Sequence, residues 1–395
     1  MTSPSRVWAG LFWSSVAVVG STYVGFPVVA VLRARVRPRP VRAADVTPSV
    51  SLVIAAHNEE RGLGDKLRSV LDCDYPADLL DVVVASDGST DRTVEVAQAF
   101  AGRGVRTLDL PRAGKAATLN AAVAGCAADV VVLSDANNPL DPAALRELVK
   151  PFADPEVGGV AGDQRYAVPD LSGAVVDGTT GERSYWALDR MVKDAESLAG
   201  NVISATGALY AVRRDLFPDV VEGVTDDFWV STAVVAAGRR LVQAPDAVVY
   251  EIPAAGAGPE FDRKVRVMTR GFRGVYERRA LFDVRTYGFY SVQLLFHKLL
   301  RRLMVAPMVV AWVASVLAAR GGGRWWRVLA GAQTAGYAVG VVGLRVRLPG
   351  AAGRLLSLGS YFVLINAASA VAVWNVLRGR RITVWEPVRD QGGRS

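Results

Sequence analysis

The sequence predicts an α/β domain built on parallel strands and tied to a membrane by apolar helices at both ends of the chain. Three observations predict it: β-branched runs alternating with helical periodicity from about residue 50 onward, an uncharged stretch over residues 7–32, and a return to apolar composition after residue 285. Of the 395 residues 51% are hydrophobic and mean hydropathy is +0.23, with the excess at the two ends.

The stretch over residues 7–32 is long enough, at about 1.5 Å of rise per residue, to cross a hydrocarbon core of about 30 Å. It exceeds the apolar core of a cleaved signal peptide, and Arg33, Arg35, Arg37, Arg39 and Arg42 follow it directly, so it reads as an anchor. Arginines stay on the cytoplasmic side, which puts the next domain in the cytoplasm. Pro38, Pro40 and Pro48 mark a linker that closes this first unit, residues 1–48.

Residues 49–284 form the second unit. Residues 50–54, 81–85 and 130–133 read as buried parallel strands, and residues 60–71 and 93–101 as the helices between them. In such βαβ repeats the chemistry gathers at the carboxyl ends of the strands. Residues 285–302 read as an amphipathic helix lying on the bilayer, ending in His297, Lys298, Arg301 and Arg302. Three further spans are expected in residues 303–377, at 303–319, 328–344 and 355–377, which makes the chain multi-pass in the cell membrane. The first two are short, so a hairpin or re-entrant pair stays open. Counting all of them as spans puts the polar tail 378–395, with Arg378, Arg380 and Arg381, outside, against the positive-inside tendency.

Net charge is +8 and the pI is near 9.6, but the arginines border the apolar stretches. No basic helix interleaved with aromatics and no zinc-finger spacing occurs, so the bilayer, and no nucleic acid, is the expected partner. Cys73 and Cys126, in no CxxC pair, exclude a disulfide scaffold or a cysteine-zinc site.

The first strand ends in Ala55-Ala56-His57-Asn58-Glu59-Glu60 and the second in Ser86-Asp87-Gly88-Ser89-Thr90-Asp91, which puts acids and amides on one sheet edge. Such groups hydrogen-bond a nucleotide's base and ribose, and Gly88 allows a tight turn; taken singly, each motif reads better as a helix cap. Gly114-Lys115 opens a helix that runs through Asn120, and Ser134-Asp135-Ala136-Asn137-Asn138 follows the third strand. Asp135-x-Asn137 is either a capped turn before Pro139 or a source of the hard oxygens that Mg2+ or Mn2+ takes while sharing a substrate's phosphates. After Ala205-Thr206-Gly207-Ala208-Leu209-Tyr210, the acids of Thr225-Asp226-Asp227 either cap a helix or deprotonate an acceptor hydroxyl. Arg263, Lys264, Arg266 and Arg270 are either a solvated basic face or a grip for a pyrophosphate.

In this order and spacing, Asn58-Glu59, Asp87-Gly88-Ser89, Gly114-Lys115 with Asn120, Asp135-x-Asn137, Gly207 and Thr225-Asp226-Asp227 resemble the membrane-integrated family 2 glycosyltransferases. Hyaluronan, chitin, cellulose and poly-N-acetylglucosamine synthases are members. The resemblance covers about residues 50–275 and implies the GT-A fold, Rossmann-like and built for nucleotide-diphosphosugars. It implies that Ala56, Asn58, Glu59, Asp87, Lys115, Asp135, Arg263 and Arg266 bind the donor, that Asp135 and Asn137 hold Mg2+ or Mn2+, and that Gly207 lies at the acceptor end. Asp227, beside Asp226, is the implied general base. The implied reaction is inverting transfer from a nucleotide-sugar, best a UDP-sugar, to a lipid-linked or polysaccharide acceptor at the cytoplasmic membrane face, in cell-envelope polysaccharide biosynthesis.

Two departures matter. Asn137 stands where many members have a second Asp, and the Gln-x-x-Arg-Trp signature of processive synthases is read here as Arg263-Lys264-Val265-Arg266-Val267. The alternatives are therefore a processive synthase that extrudes its product and, in another class, an inactive nucleotide-binding membrane scaffold partnering an active synthase.

Overall fold

The β-branched runs pair into a single mixed sheet in the computed structural model, which describes residues 4–166, 180–251, 257–321, 323–346, 348 and 350–380. Seven strands, β1 (Val50–Ala56), β2 (Leu80–Asp87), β3 (Val105–Leu110), β4 (Val130–Ser134), β5 (Val157–Tyr166), β6 (Leu209–Arg213) and β7 (Arg240–Glu251), stand in the order β3-β2-β1-β4-β6-β5-β7. β1 pairs in parallel with β2 and β4, and β2 with β3. β6 runs antiparallel to both β4 and β5, and β7 parallel to β5.

Every residue of β1 is buried because helices cover both sheet faces, which is why it reads as a continuous apolar run. Leu52 and Ile54 pack on one face with Leu63 and Leu67 of the helix Leu63–Leu71. Val53 and Ala55 face the other side with Leu119 of the helix Lys115–Ala124 and Phe228 of the helix Asp226–Ala236. The predicted strands stand where expected, each extended slightly. β3, a sheet edge, buries only Val105 fully and shows no apolar run.

The anchor is helical from Arg6 to Val36, and this helix and Gly350–Leu377 have the length and apolarity to cross a bilayer unaided. The other two expected spans differ. Val305–Arg320 has 16 residues, about 24 Å, and forms a bent pair with Phe289–Leu303 at 54°, a broken span or a re-entrant loop. Arg324–Gly343 carries Arg324, Arg327 and Gln333 and is not apolar enough alone. It packs closely on Gly350–Leu377, where a Cβ at Gly340 would stand 2.8 Å from the Gly359 carbonyl.

Residues 37–49 form no regular element and lie along the domain, the Arg39 N–H donating to the Leu198 carbonyl (2.7 Å). The expected bilayer-surface helix is broken at Gly288 into Val284–Tyr287 and Phe289–Leu303. Its basic end turns inward: His297 is buried between Glu196 (2.8 Å) and Asp189 (3.2 Å) of the helix Thr180–Ala199. Of the polar tail, everything beyond Arg380 lies outside the described residues.

Candidate active site

The ends of β1 and β2 are cross-linked by their own motifs. Asn58 adopts φ 57°, and its Oδ1 accepts from the Thr90 N–H (2.8 Å) while its N–H donates to Ser89 Oγ (3.1 Å). His57 Nδ1 lies 2.8 Å from the Asp87 carbonyl, which can only accept, so the proton sits on Nδ1. Ala56 is the buried last residue of β1. Burial, with Asp135 and Asp91 nearby, pushes the Glu59 carboxyl up to about 7, Lys115 opposing.

Asp87 is fully buried, and its carboxylate is committed. Oδ2 takes Arg112 at 2.7 Å, and Oδ1 accepts the N–H groups of Ala113 (2.7 Å) and Gly114 (2.9 Å). Its visible function is therefore to set the 112–114 loop that starts the Lys115 helix. Gly88, at φ +59°, lies under the same loop, where a Cβ would meet the Arg112 backbone nitrogen at 2.8 Å.

Lys115 is the junction of the site. Its ammonium bridges Asp135 (3.0 Å) at the end of β4 and Asp226 (3.1 Å) at the start of its helix. Burial would lower its pKa, but the two carboxylates outweigh burial and hold it charged, above the ordinary lysine range. A Cβ on Gly207 would stand 3.4 Å from Asp135 Oδ2, so glycine leaves that oxygen approachable. Asn137, two residues on, is exposed. These oxygens suit a hard divalent cation in kind, but among the described residues no three His, Cys, Asp or Glu gather for a metal. A cation here would draw its remaining ligands from a diphosphate and water.

Asp226 also accepts from the Tyr210 hydroxyl (3.2 Å). Burial and the neighbouring Asp226 raise the Asp227 carboxyl above the ordinary range, with Lys298 opposing. On the helix Ala257–Glu277 the expected cations divide. Arg263 is committed to Glu251 (3.1 Å) and Glu260 (2.8 Å), and Lys264 to Glu260 (3.1 Å). Arg266 and Arg270, one turn apart, repel each other, and Arg270 is close enough to Asp226 to feel its charge. Asn120 serves structure, clamping Val220 through two hydrogen bonds (2.9 and 2.8 Å).

Sequence reasoning passed over Arg112, Tyr210 and Lys66. Arg112 and Tyr210 lie within or beside the quoted motifs but carry no pattern of their own. Lys66 had a signal: it occupies a core position of the stripe Leu63, Leu67 and Val70. Fully buried, it donates to Ser134 Oγ (2.6 Å) and the Asn138 carbonyl (2.7 Å), bracing the turn that presents Asp135, and burial lowers its pKa to about 7.

A mixed sheet with amides, carboxylates and a bridging lysine at the carboxyl ends of β1, β2 and β4 puts these groups where α/β domains bind nucleotides. Residues 48–274, more than half of the chain, match the family described as glycosyltransferase like family 2, and the chain belongs to that family. It is similar to the poly-beta-1,6-N-acetyl-D-glucosamine synthase of Staphylococcus epidermidis, 24% identical over 66% of this chain and 62% of that one. It is 30% identical to the beta-monoglucosyldiacylglycerol synthase of Synechocystis over 46% of this chain and 39% of that one. The matches thus span less than two thirds of these relatives. Among solved structures, a mannosyltransferase from Pyrobaculum calidifontis in complex with GDP-Man and Mn2+ shares the fold, the GT-A type, with a TM-score of 0.71 at 23% identity, covering 94% of this chain and all of that one.

Proposed function

We propose that the chain is an inverting glycosyltransferase that moves a sugar from a UDP-sugar to a lipid-linked or glycan acceptor at the cytoplasmic face of the cell membrane. One observation carries it: Lys115 draws Asp135 and Asp226, 91 positions apart (226 − 135), into ion-pair distance at one sheet edge. The relatives' named products, a polysaccharide and a glycolipid, support an acceptor of either kind. The Arg6–Val36 helix and the arginines after it support a membrane anchor and the orientation.

Asp227 takes the proton of the acceptor hydroxyl, whose oxygen attacks the anomeric carbon opposite the departing nucleotide diphosphate, so configuration inverts. Asp226 and Tyr210 fix the start of the helix that carries the base. Lys115, Arg266 and Arg270 stabilise charge on the diphosphate, while the Asp87-held 112–114 loop and the Asn58 turn frame the nucleoside. Asp135 and Asn137 would hold a divalent cation, which would supply further charge neutralisation to the leaving group. Arg263, occupied by Glu251 and Glu260, is assigned to structure. Val267, exposed where processive synthases carry Trp, favours few additions over chain extension.

The test is nucleotide release from UDP-N-acetylglucosamine, UDP-glucose, GDP-mannose and dTDP-glucose, with Mg2+ or Mn2+ and with EDTA. A UDP-sugar should be preferred, EDTA should abolish release, and Asp227→Asn should reduce transfer about 10²- to 10⁴-fold with nucleotide affinity unchanged. Unaltered transfer by Asp227→Asn would sink the assignment and leave the scaffold reading.

A further inference from the structure

The helix Phe289–Leu303, which leads into the apolar helix Val305–Arg320, is bound to the segment that carries Gly207. Gln293 Nε2 donates to the Asn201 carbonyl (2.9 Å), the Tyr290 hydroxyl to the Ile203 carbonyl (2.8 Å), and Lys298 Nζ to Ser204 Oγ (2.8 Å). The same Lys298 ammonium lies 4.9 Å from the centre of the Phe228 ring, and Phe228 directly follows Asp227. A free lysine at a membrane surface would extend its ammonium into water or toward headgroups. This one turns the other way. The turn that carries it, Leu294–Leu300, is π-helical, a winding that swings residues five apart, such as Gln293 and Lys298, toward one side. His297 and Arg301 anchor the same stretch on Asp189 (3.2 and 2.7 Å).

We propose that Lys298 is a positioning residue of the active centre, tying the 201–207 segment to the Asp227 end of the Asp226–Ala236 helix and holding its ammonium beside the base. The helix that leads into the apolar C-terminal helices is thereby part of the catalytic apparatus. The inference rests on Asp227 as the base. The groups facing Asp227 are Asp226 on its own helix, Tyr210 from β6 and Lys298, with Arg270 acting on Asp226 from the helix Ala257–Glu277. Lys298 opposes the rise that burial and Asp226 impose on the Asp227 carboxyl. Burial, with Arg302 and Lys193 nearby, lowers Lys298 itself to about 7 against the pull of Asp227 and Asp189, so it carries its charge on the acid side of neutrality, where the limb lies.

The experiment compares full-length Lys298→Met, Lys298→Arg and Ser204→Ala in membranes, with the donor that the panel selects, UDP-N-acetylglucosamine first, by the pH dependence of kcat and the donor KM. Because the base works deprotonated, loss of the lysine charge raises its pKa and moves the acid limb to higher pH, by about one unit. Lys298→Arg should restore the limb. Ser204→Ala keeps the charge, so its limb should stay while kcat falls about tenfold at unchanged donor KM. An unmoved acid limb in Lys298→Met overturns the proposal. Should Lys298→Met fail to accumulate, Ser204→Ala with unchanged kcat overturns it equally. Asp227→Asn run alongside separates the two readings: if it stays active, the base assignment has failed, whereas its inactivity with an unmoved limb in Lys298→Met indicts Lys298 alone.

Discussion

Replacing Lys115 with Met removes the cation that bridges Asp135 and Asp226. At 3.0 and 3.1 Å, each pair has a gross attraction of about 5 kcal/mol at an effective permittivity of about 20. Most of that is offset by the cost of dehydrating the charges, and removing one partner of a buried pair costs about 3–5 kcal/mol. The Asp135 side chain is 38% exposed, so water recovers part of the loss, and about 2–3 kcal/mol is the appropriate figure. If the diphosphate in the transition state feels the same loss, kcat for nucleotide release falls about 30- to 150-fold. A second consequence has the opposite sign. Lys115 competes with a divalent cation for Asp135, so the donor-free Lys115→Met protein should bind Mn2+ more tightly in a calorimetric titration. A kcat within twofold of the parent, or weaker Mn2+ binding, would refute the reasoning.

Three further outcomes are expected. Gly88→Ala combines a left-handed φ, costing about 1–2 kcal/mol, with a Cβ 2.8 Å from the Arg112 backbone, so thermal unfolding should show a loss of about 2–4 kcal/mol together with reduced nucleotide binding. Gly207→Leu should fold, since a Cβ there meets the two Asp135 carboxylate oxygens at 3.4 and 4.0 Å, but covering Asp135 Oδ2 should raise the Mn2+ concentration needed for half-maximal release by about tenfold or more. The acid limb of kcat should lie above the ordinary carboxylate range, because burial and Asp226 raise Asp227 and activity is lost as pH falls through that raised value; a limb near the ordinary aspartate value would show that Asp227 is not the titrating group.

The strands that sequence could reveal were those with helices on both faces, because only there does burial demand an uninterrupted apolar run. β1, β2 and β4 met that condition and β3 did not. The acids and amides beyond those strands were equally readable, since strand direction alone brings Asn58, Asp87 and Asp135 to one edge. Side-chain partners were not readable. Asp87 looks like a nucleotide ligand until Arg112 and two backbone N–H groups, 25–27 positions away, take its oxygens. Arg263 looks like a phosphate grip until Glu251, at the end of β7, claims it. Such pairings depend on which loops the fold places opposite one another, and no local pattern encodes them.

The decisive hidden feature is the direction of β6. In a wholly parallel sheet only the residues after each strand reach the active edge, and the segment before β6 would emerge at the far side. Because β6 runs antiparallel to β4, with Ser134 opposite Leu209, the chain entering β6 meets the chain leaving β4, and Gly207 arrives against Asp135. The same reversal brings the Tyr210 hydroxyl to Asp226, so the helix that carries Asp226 and Asp227 is braced by the strand that also delivers Gly207. In the proposed reading, donor loops come from the parallel part of the sheet and acceptor loops from the entry to its antiparallel strand. Lys115 joins the two halves, which is why a single lysine can couple residues as distant in sequence as Asp135 and Asp226.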